Sequence, residues 1–305
     1  MTEPDFAQGA AIATGGTGLE PRGARIAPLA RAGLRARRLP RETKVGAAIV
    51  LAIVLAALAA PVLAPYNPDQ ANILASLTGP SWSHWMGTDF VGRDVMSRAL
   101  YGTRVDLEAV VVVTAISVAF GTVVGAVAGY FGGWLDLTVS RVVDTAIALP
   151  FLVVVLAVVA VTGVGLFGVC LGIVLIDWSV YARIARAEVL HLRAQEFILA
   201  SRALGYRQVR IIGRHVLPNV VQPGLTYCTI DVVSNLMAIA AMSYLGFGAQ
   251  PPTAELGSII ASGQPYMLSA WWISTLPAVL LAALGIGVGL IGDGLARSDY
   301  SVMGR

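Results

Sequence analysis

The chain of 305 residues is 56% hydrophobic and only 13% charged, with a formal net charge of +3, a balance that argues against an ordinary soluble domain and places the chain in a bilayer. Its arginines fall into a few blocks between long uncharged stretches, so the positive excess reads as membrane topology and not as a nucleic-acid patch. Cys170 and Cys228 lie in apolar runs without CxxC or Cys/His spacing, and the single lysine, Lys44, follows no glycine loop, so neither a disulfide framework, a zinc site nor a phosphate-cradling GxxxxGK[ST] motif is indicated, and the chain is not expected to hydrolyse ATP itself.

In chain order, residues 1 to about 42 are rich in Gly, Ala, Pro and Arg without a sustained hydrophobic period, and residues 1–44 are expected to form a flexible, basic cytoplasmic extension. The run 45–64 is roughly long enough to cross a hydrocarbon core of ~30 Å. It is too long, and too far from Met1, for a signal peptide. Five further apolar runs lie at about 109–130, 142–161, 166–181, 220–243 and 272–291, which predicts an all-α polytopic membrane protein with six transmembrane helices. Only Thr162 and the glycines 163 and 165 separate the third run from the fourth, a spacing that predicts a tight helical hairpin.

Orientation follows from arginine placement. The tail before the first span carries eight basic residues from Arg22 to Lys44, the loop after the fourth carries seven from Arg183 to Arg214, and the stretch 245–271 carries none. Both termini are therefore expected in the cytoplasm, although the opposite side keeps Arg93, Arg98 and Arg104.

The basic loop, 182–219, is too polar to cross a membrane and too apolar to be a floppy linker. Within a helix predicted over 194–204, Phe197, Ala200, Ser201 and Leu204 recur at i, i+3, i+4 and i+7 beside Glu196, Gly205 can close the helix in a left-handed cap, and Pro218 suits the start of the fifth span. Such a helix can dock in a groove of a soluble partner and carry rigid-body motion, or it can lie on anionic lipid through its arginines. The pattern alone leaves both open.

Other residues have more local readings. Gly121, Gly125 and Gly129 place small residues on one face of the second span, where another helix can approach. Asp231 and Asn235, four apart in the fifth span, should face protein or a wet cavity and are candidates for a solute path. Asp144 and Asp293 are expected to pair locally with arginine. His191 and His215 have no metal-ligand spacing, and Asp89 with Arg93, after the possible cap Thr88, should hold an external helix together. No nucleophile, base and orienter set is present.

Two longer blocks carry a family resemblance. The stretch from Ala200 through Gly205 to Leu217, Pro218 and Asn219 resembles the cytoplasmic signature of ABC-importer permeases, with Leu199, Ser201 and His215 departing from it. GTDFVGRDVMSRALYGTRVDL, which contains Gly87, Thr88, Asp89, Gly92, Arg93 and Asp94, resembles the signature between the first two spans of the C-type subunit of dipeptide, oligopeptide and nickel ABC importers. GAVAGYFGG, RVVDTAIALP, WSVYARIAR, MSYLGFGAQPP and IGDGLARSDY extend the match over roughly 45–300.

The resemblance implies the type I ABC importer permease fold over 45–300, with a coupling helix at 194–205 in the loop 182–219. It implies a permease subunit in the cytoplasmic membrane of a bacterium that moves di- or oligopeptides by alternating access. The implied partners are a homologous permease subunit, two cytoplasmic ATPase subunits that bind ATP and Mg, and an extracytoplasmic solute-binding protein, with no cofactor on this chain and no nucleic acid. The competing classes are an ion-gradient-driven secondary transporter with Asp231 as its intramembrane site and a membrane-anchored assembly factor without a solute path.

Overall fold

The structure, a computed structural model, describes residues 40–303, with side chains through Gly294. The expected extension 1–44 lies outside the described residues as far as Leu39, and its last residues already belong to a helix. That helix, α1 (Arg41–Leu58), stops at Ala59, because Pro61 has no N–H to offer the carbonyl of Ala57. The short α2 (Ala60–Leu63) follows, so the expected span 45–64 is divided between two helices.

A segment without long helices leads to α3 (Val95–Phe131), 37 residues and about 55 Å long at 1.5 Å per residue. It reaches well beyond the expected span 109–130. Arg98, Arg104, Asp106 and Glu108 interrupt the hydropathy of its first turns but not the helix, since Arg98 and Asp106 are buried against other segments and Arg104 Nε meets Glu108 Oε1 at 2.9 Å.

Gly132 and Gly133, at φ +67° and +61°, turn the chain into α4 (Gly133–Ala148). Leu149 is then held extended, at ψ 138°, by the ring of Pro150, and α5 (Phe151–Thr162) departs from α4 at 94°. The expected straight span 142–161 is thereby corrected: its first turns belong to α4 and the remainder to α5. Periodicity misses this break because both flanks of Pro150 are equally apolar.

Beyond Gly163 and Gly165, α6 (Leu166–Leu192) returns along α5, with Gly172 laid against the backbone of Val155. It continues through the first residues of the expected loop. Three short elements follow: α7 (Glu196–Ala203), α8 (Gln208–Ile211) and a π turn, Ile212–Val216, that runs into α9 (Leu217–Tyr244). Pro218 stands in the first turn of α9, where its missing N–H costs nothing. The chain closes with α10 (Leu256–Gly263) and α11 (Trp272–Met303).

Among the described residues, four helical runs are long and apolar enough to cross a membrane: Val95–Phe131, Leu166–Leu192, Gln208–Tyr244 and Trp272–Gly294. The bent pair α4 and α5 makes a fifth if counted as one span. The 18-residue α1 opens on Arg41, Glu42 and Lys44, so the expected count of six is not reached by helix length and composition.

Packing is set by glycine. A Cβ on Gly121 would strike the carbonyl of Trp178, one on Gly125 the backbone of Ala182, and one on Gly129 would lie 3.1 Å from the carbonyl of Arg186. The small-residue face of α3 thus receives α6 at backbone contact. Gly46 and Gly287 bring α1 and α11 together in the same way. The main core, including Val113, Val155, Ile173, Leu236, Ile239 and Leu284, fills the space between α3, α5, α6, α9 and α11.

Candidate functional site

The basic loop is pinned to the ends of three long helices. Ile198, on the inner face of α7, is fully buried with Tyr130 of α3, Val189 of α6, Ile211 of α8 and Val220 of α9. Tyr130 is the hub: its hydroxyl donates to Gln208 Oε1 and accepts from Arg202 Nε at 3.2 Å, while the Arg202 guanidinium lies 4.7 Å from its ring centroid. Arg193 Nη1 donates to the carbonyl of Gly129 at 3.2 Å. A push on α7 is therefore passed to α3, α6 and α9 together.

The end of α7 is a full Schellman motif. Gly205, at φ +74°, donates its N–H to Arg202 O at 2.9 Å, and Tyr206 donates to Ser201 O at 3.2 Å. The face expected from the spacing is split in two. Ser201 turns inward and donates its Oγ to Phe197 O at 2.7 Å, whereas Glu196, Phe197, Ala200 and Leu204 remain exposed, as does Pro218. Sequence reasoning did not single out Ile198 or Tyr130. The inward position of Ile198 is legible only once the hub is known, since Phe197 and Leu199 beside it are equally apolar.

At the opposite end, the segment before α3 is a lock of buried polar groups. Asp94 caps α3, its Oδ2 accepting from Ser97 N and Ser97 Oγ at 2.7 Å each, and its Oδ1 lies 2.9 Å from His84 Nδ1. Asp89 accepts from the N–H groups of Val91 and Arg93 at 2.9 Å and pairs with Arg93 Nε at 2.7 Å. Thr88 accepts at its carbonyl from Trp272 Nε1 at 3.1 Å, which ties this segment to the start of α11. Gly87 and Gly92 adopt φ +72° and +79°, and a Cβ on Gly92 would strike the carbonyl of Asn72. These signature residues build the segment and touch nothing outside it that resembles a reaction site.

Midway along the bundle lies a third polar cluster. Asp231 Oδ2 accepts from Tyr181 OH at 2.8 Å and from Asn235 Nδ2 at 2.9 Å, and the same Asn235 amide reaches Asp177 Oδ2 and Thr114 Oγ1 at 3.3 Å each. Thr114 comes from α3, Asp177 and Tyr181 from α6, and Asp231 and Asn235 from α9. Asp231 is 3% exposed, so it faces the chain's own helices. Asp177 was missed, although a carboxylate inside an apolar run is a signal that could have found it.

Residues 121–298 match the family model described as binding-protein-dependent transport system inner membrane component, and residues 44–80 match the N-terminal TM domain of oligopeptide transport permease C. The chain is 35% identical over 251 residues to the dipeptide transport system permease protein DppC of Alkalihalophilus pseudofirmus, covering 82% of this chain and 83% of that one. It is 32% identical over 261 residues to the DppC protein of Haemophilus influenzae, covering 84% and 88%, and 33% identical over 253 residues to the probable D,D-dipeptide transport system permease protein DdpC of Escherichia coli, covering 83% and 85%. A solved chain of the MetNI methionine ABC transporter, in an inward-facing conformation, superposes with a TM-score of 0.49 at 24% identity over 67% of this chain and 96% of that one.

Proposed function

Because the chain belongs to the family of binding-protein-dependent transport system inner membrane components, we propose that it is a membrane-spanning permease subunit of an ATP-driven importer of di- or oligopeptides. The peptide substrate is supported by the names of its relatives. In this reading the chain sits in the cytoplasmic membrane of a bacterium with both termini inside, and pairs with a homologous permease subunit. Two cytoplasmic ATPase subunits bind ATP and Mg, and an extracytoplasmic binding protein delivers the peptide.

The observation that carries the mechanism is the pinning of α7. Exposed Phe197, Ala200 and Leu204, flanked by Glu196, form the face offered to an ATPase groove. Inward-facing Ser201 and Ile198, the Gly205 cap and the Pro218 start of α9 fix that face to the helix ends. Closure of the ATPases on nucleotide would then rock α3, α6 and α9 as a unit, exchanging inward-facing and outward-facing cavities. The chain supplies no catalytic group of its own to this cycle. The external segments before α3 and around α10 would receive the binding protein.

The competing reading makes the chain an ion-driven transporter with Asp231 as its ion site. Asp231 and Asn235 are enclosed by their own helices and already hydrogen-bonded, which favours a bracing role over contact with a solute. Affinity purification of the tagged chain in mild detergent tests the importer reading. Recovery of a second permease and two ATPases, lost when α7 is disrupted, is the expected result; a lone, stable chain whose transport follows an ion gradient would overturn it.

A further inference from the structure

Two carboxyl groups at the α10 end of the bundle are buried face to face. Asp106 of α3 and Glu255, the N-cap residue of α10, are each 0% exposed, and their carboxyl groups lie within hydrogen-bonding reach of one another. Gly102, one turn before Asp106, brings them together: a Cβ there would lie 3.1 Å from Glu255 Cα, so the start of α10 rests on the backbone of α3.

The donors around this pair can be counted. Glu255 accepts from Gly257 N at 2.9 Å and Ser258 N at 2.7 Å, and Asp106 Oδ2 accepts from Leu256 N at 3.3 Å. These are the free N–H groups of a helix N-terminus, which suit one negative charge. Asp106 Oδ1 is buried and has no partner. Ionised carboxylates only accept, and a second one enclosed against the first without a donor is strongly disfavoured, whereas a proton placed between the two makes one a donor to the other.

No cation on the neighbouring elements can take the proton's place among the described residues. Arg98, two turns earlier on α3, is held by Asp89, Asp69 and the carbonyl of Pro68, and Arg104 is paired with Glu108 at the surface. Against α10, α9 presents Ala240, and α11 presents Ile273 and Ser274, none of which titrates.

We propose that Asp106 and Glu255 share a single proton, and that this proton latches α10 onto α3. With the proton in place the pair carries one charge, matched by the helix N-terminus. Without it, two like charges are enclosed together and α10 is driven off α3. The latched state is therefore favoured at low pH and weakens as pH rises, because it is the closed form that holds the proton.

The test uses the purified full-length chain in lipid nanodiscs, with Cys170→Ser and Cys228→Ser. Infrared spectroscopy of this protein at neutral pH should show a protonated carboxylic acid band that Asp106→Asn removes. In the same background, Ile259→Cys places a thiol on the covered face of α10. Its labelling by a hydrophilic maleimide should be slow at neutral pH and rise as the pH is raised. Asp106→Asn, whose amide donates at any pH, should keep labelling slow and flat.

An unchanged carboxylic acid band in Asp106→Asn, or the same pH-driven rise in labelling, would overturn the proposal. Should that variant fail to fold, the protein retaining Asp106 decides alone: band loss and labelling must follow the same pH dependence, and a rise in labelling with a constant band sinks the latch. Neither readout involves transport, so the result stands apart from that of the purification experiment.

Discussion

At Gly205 the backbone sits at φ +74°, while a Cβ built there would meet nothing within 4 Å, so torsion and not crowding selects glycine. Gly205→Ala should therefore cost about 1 kcal/mol in thermal unfolding without loss of assembly, and should lower ATP-coupled uptake by loosening the end of α7. Uptake at the unmutated level in a normally assembled complex would contradict the role given to this cap. Tyr181 makes the complementary case. Removing its hydroxyl in Tyr181→Phe leaves Asp231 with Asn235 as its remaining side-chain donor, and should destabilise the protein by roughly 1–3 kcal/mol, measured as a lowered melting temperature in detergent. The Asp231 and Asn235 pair was legible as an i, i+4 spacing in an apolar run. Asp177 and Tyr181 were not legible as its partners, because a contact across 50 residues or more has no local signature.

Between elements, the closest approach is that of α3 to α6, where the backbone of Ala182 fills the place a Cβ on Gly125 would occupy. Backbone cannot rotate away as a side chain can, so Gly125→Val must push the helices apart. The expected cost is at the upper end of the about 1–3 kcal/mol of overpacking, visible as loss of the monodisperse peak in size-exclusion chromatography. Gly129→Ala, with 3.1 Å to the nearest carbonyl, should be much milder. The glycine spacing revealed that some helix would approach this face, but it could not reveal that the helix is α6. Likewise Pro150 was visible in the sequence, yet a proline in an apolar run can kink a span slightly or break it outright. The 94° bend between α4 and α5 follows from where each half packs on α6.

Over the whole molecule, the decisive contrast lies within α7. Phe197→Ala combined with Leu204→Ala alters side chains that are 45% and 72% exposed, and should change stability by no more than about 0.5 kcal/mol per site while abolishing co-purification of ATPase subunits. Ile198→Ala, at a fully buried site, should cost about 2–5 kcal/mol instead and reduce the yield of folded protein. Loss of stability in the double variant with ATPases still bound would reverse the assignment of faces. The sequence by itself determined the all-helical class, the family and the position of the basic loop. Those rest on composition, periodicity and contiguous motifs, which are properties of neighbouring residues. Tertiary structure alone decided that Ser201 turns inward, that Tyr130 joins three helix ends, that the expected third span is two helices, and that Asp106 meets Glu255 across 149 positions of the chain. Each depends on which helices pack together, and apolar faces of similar character leave that choice to the fit of glycines, buried polar groups and side-chain volume.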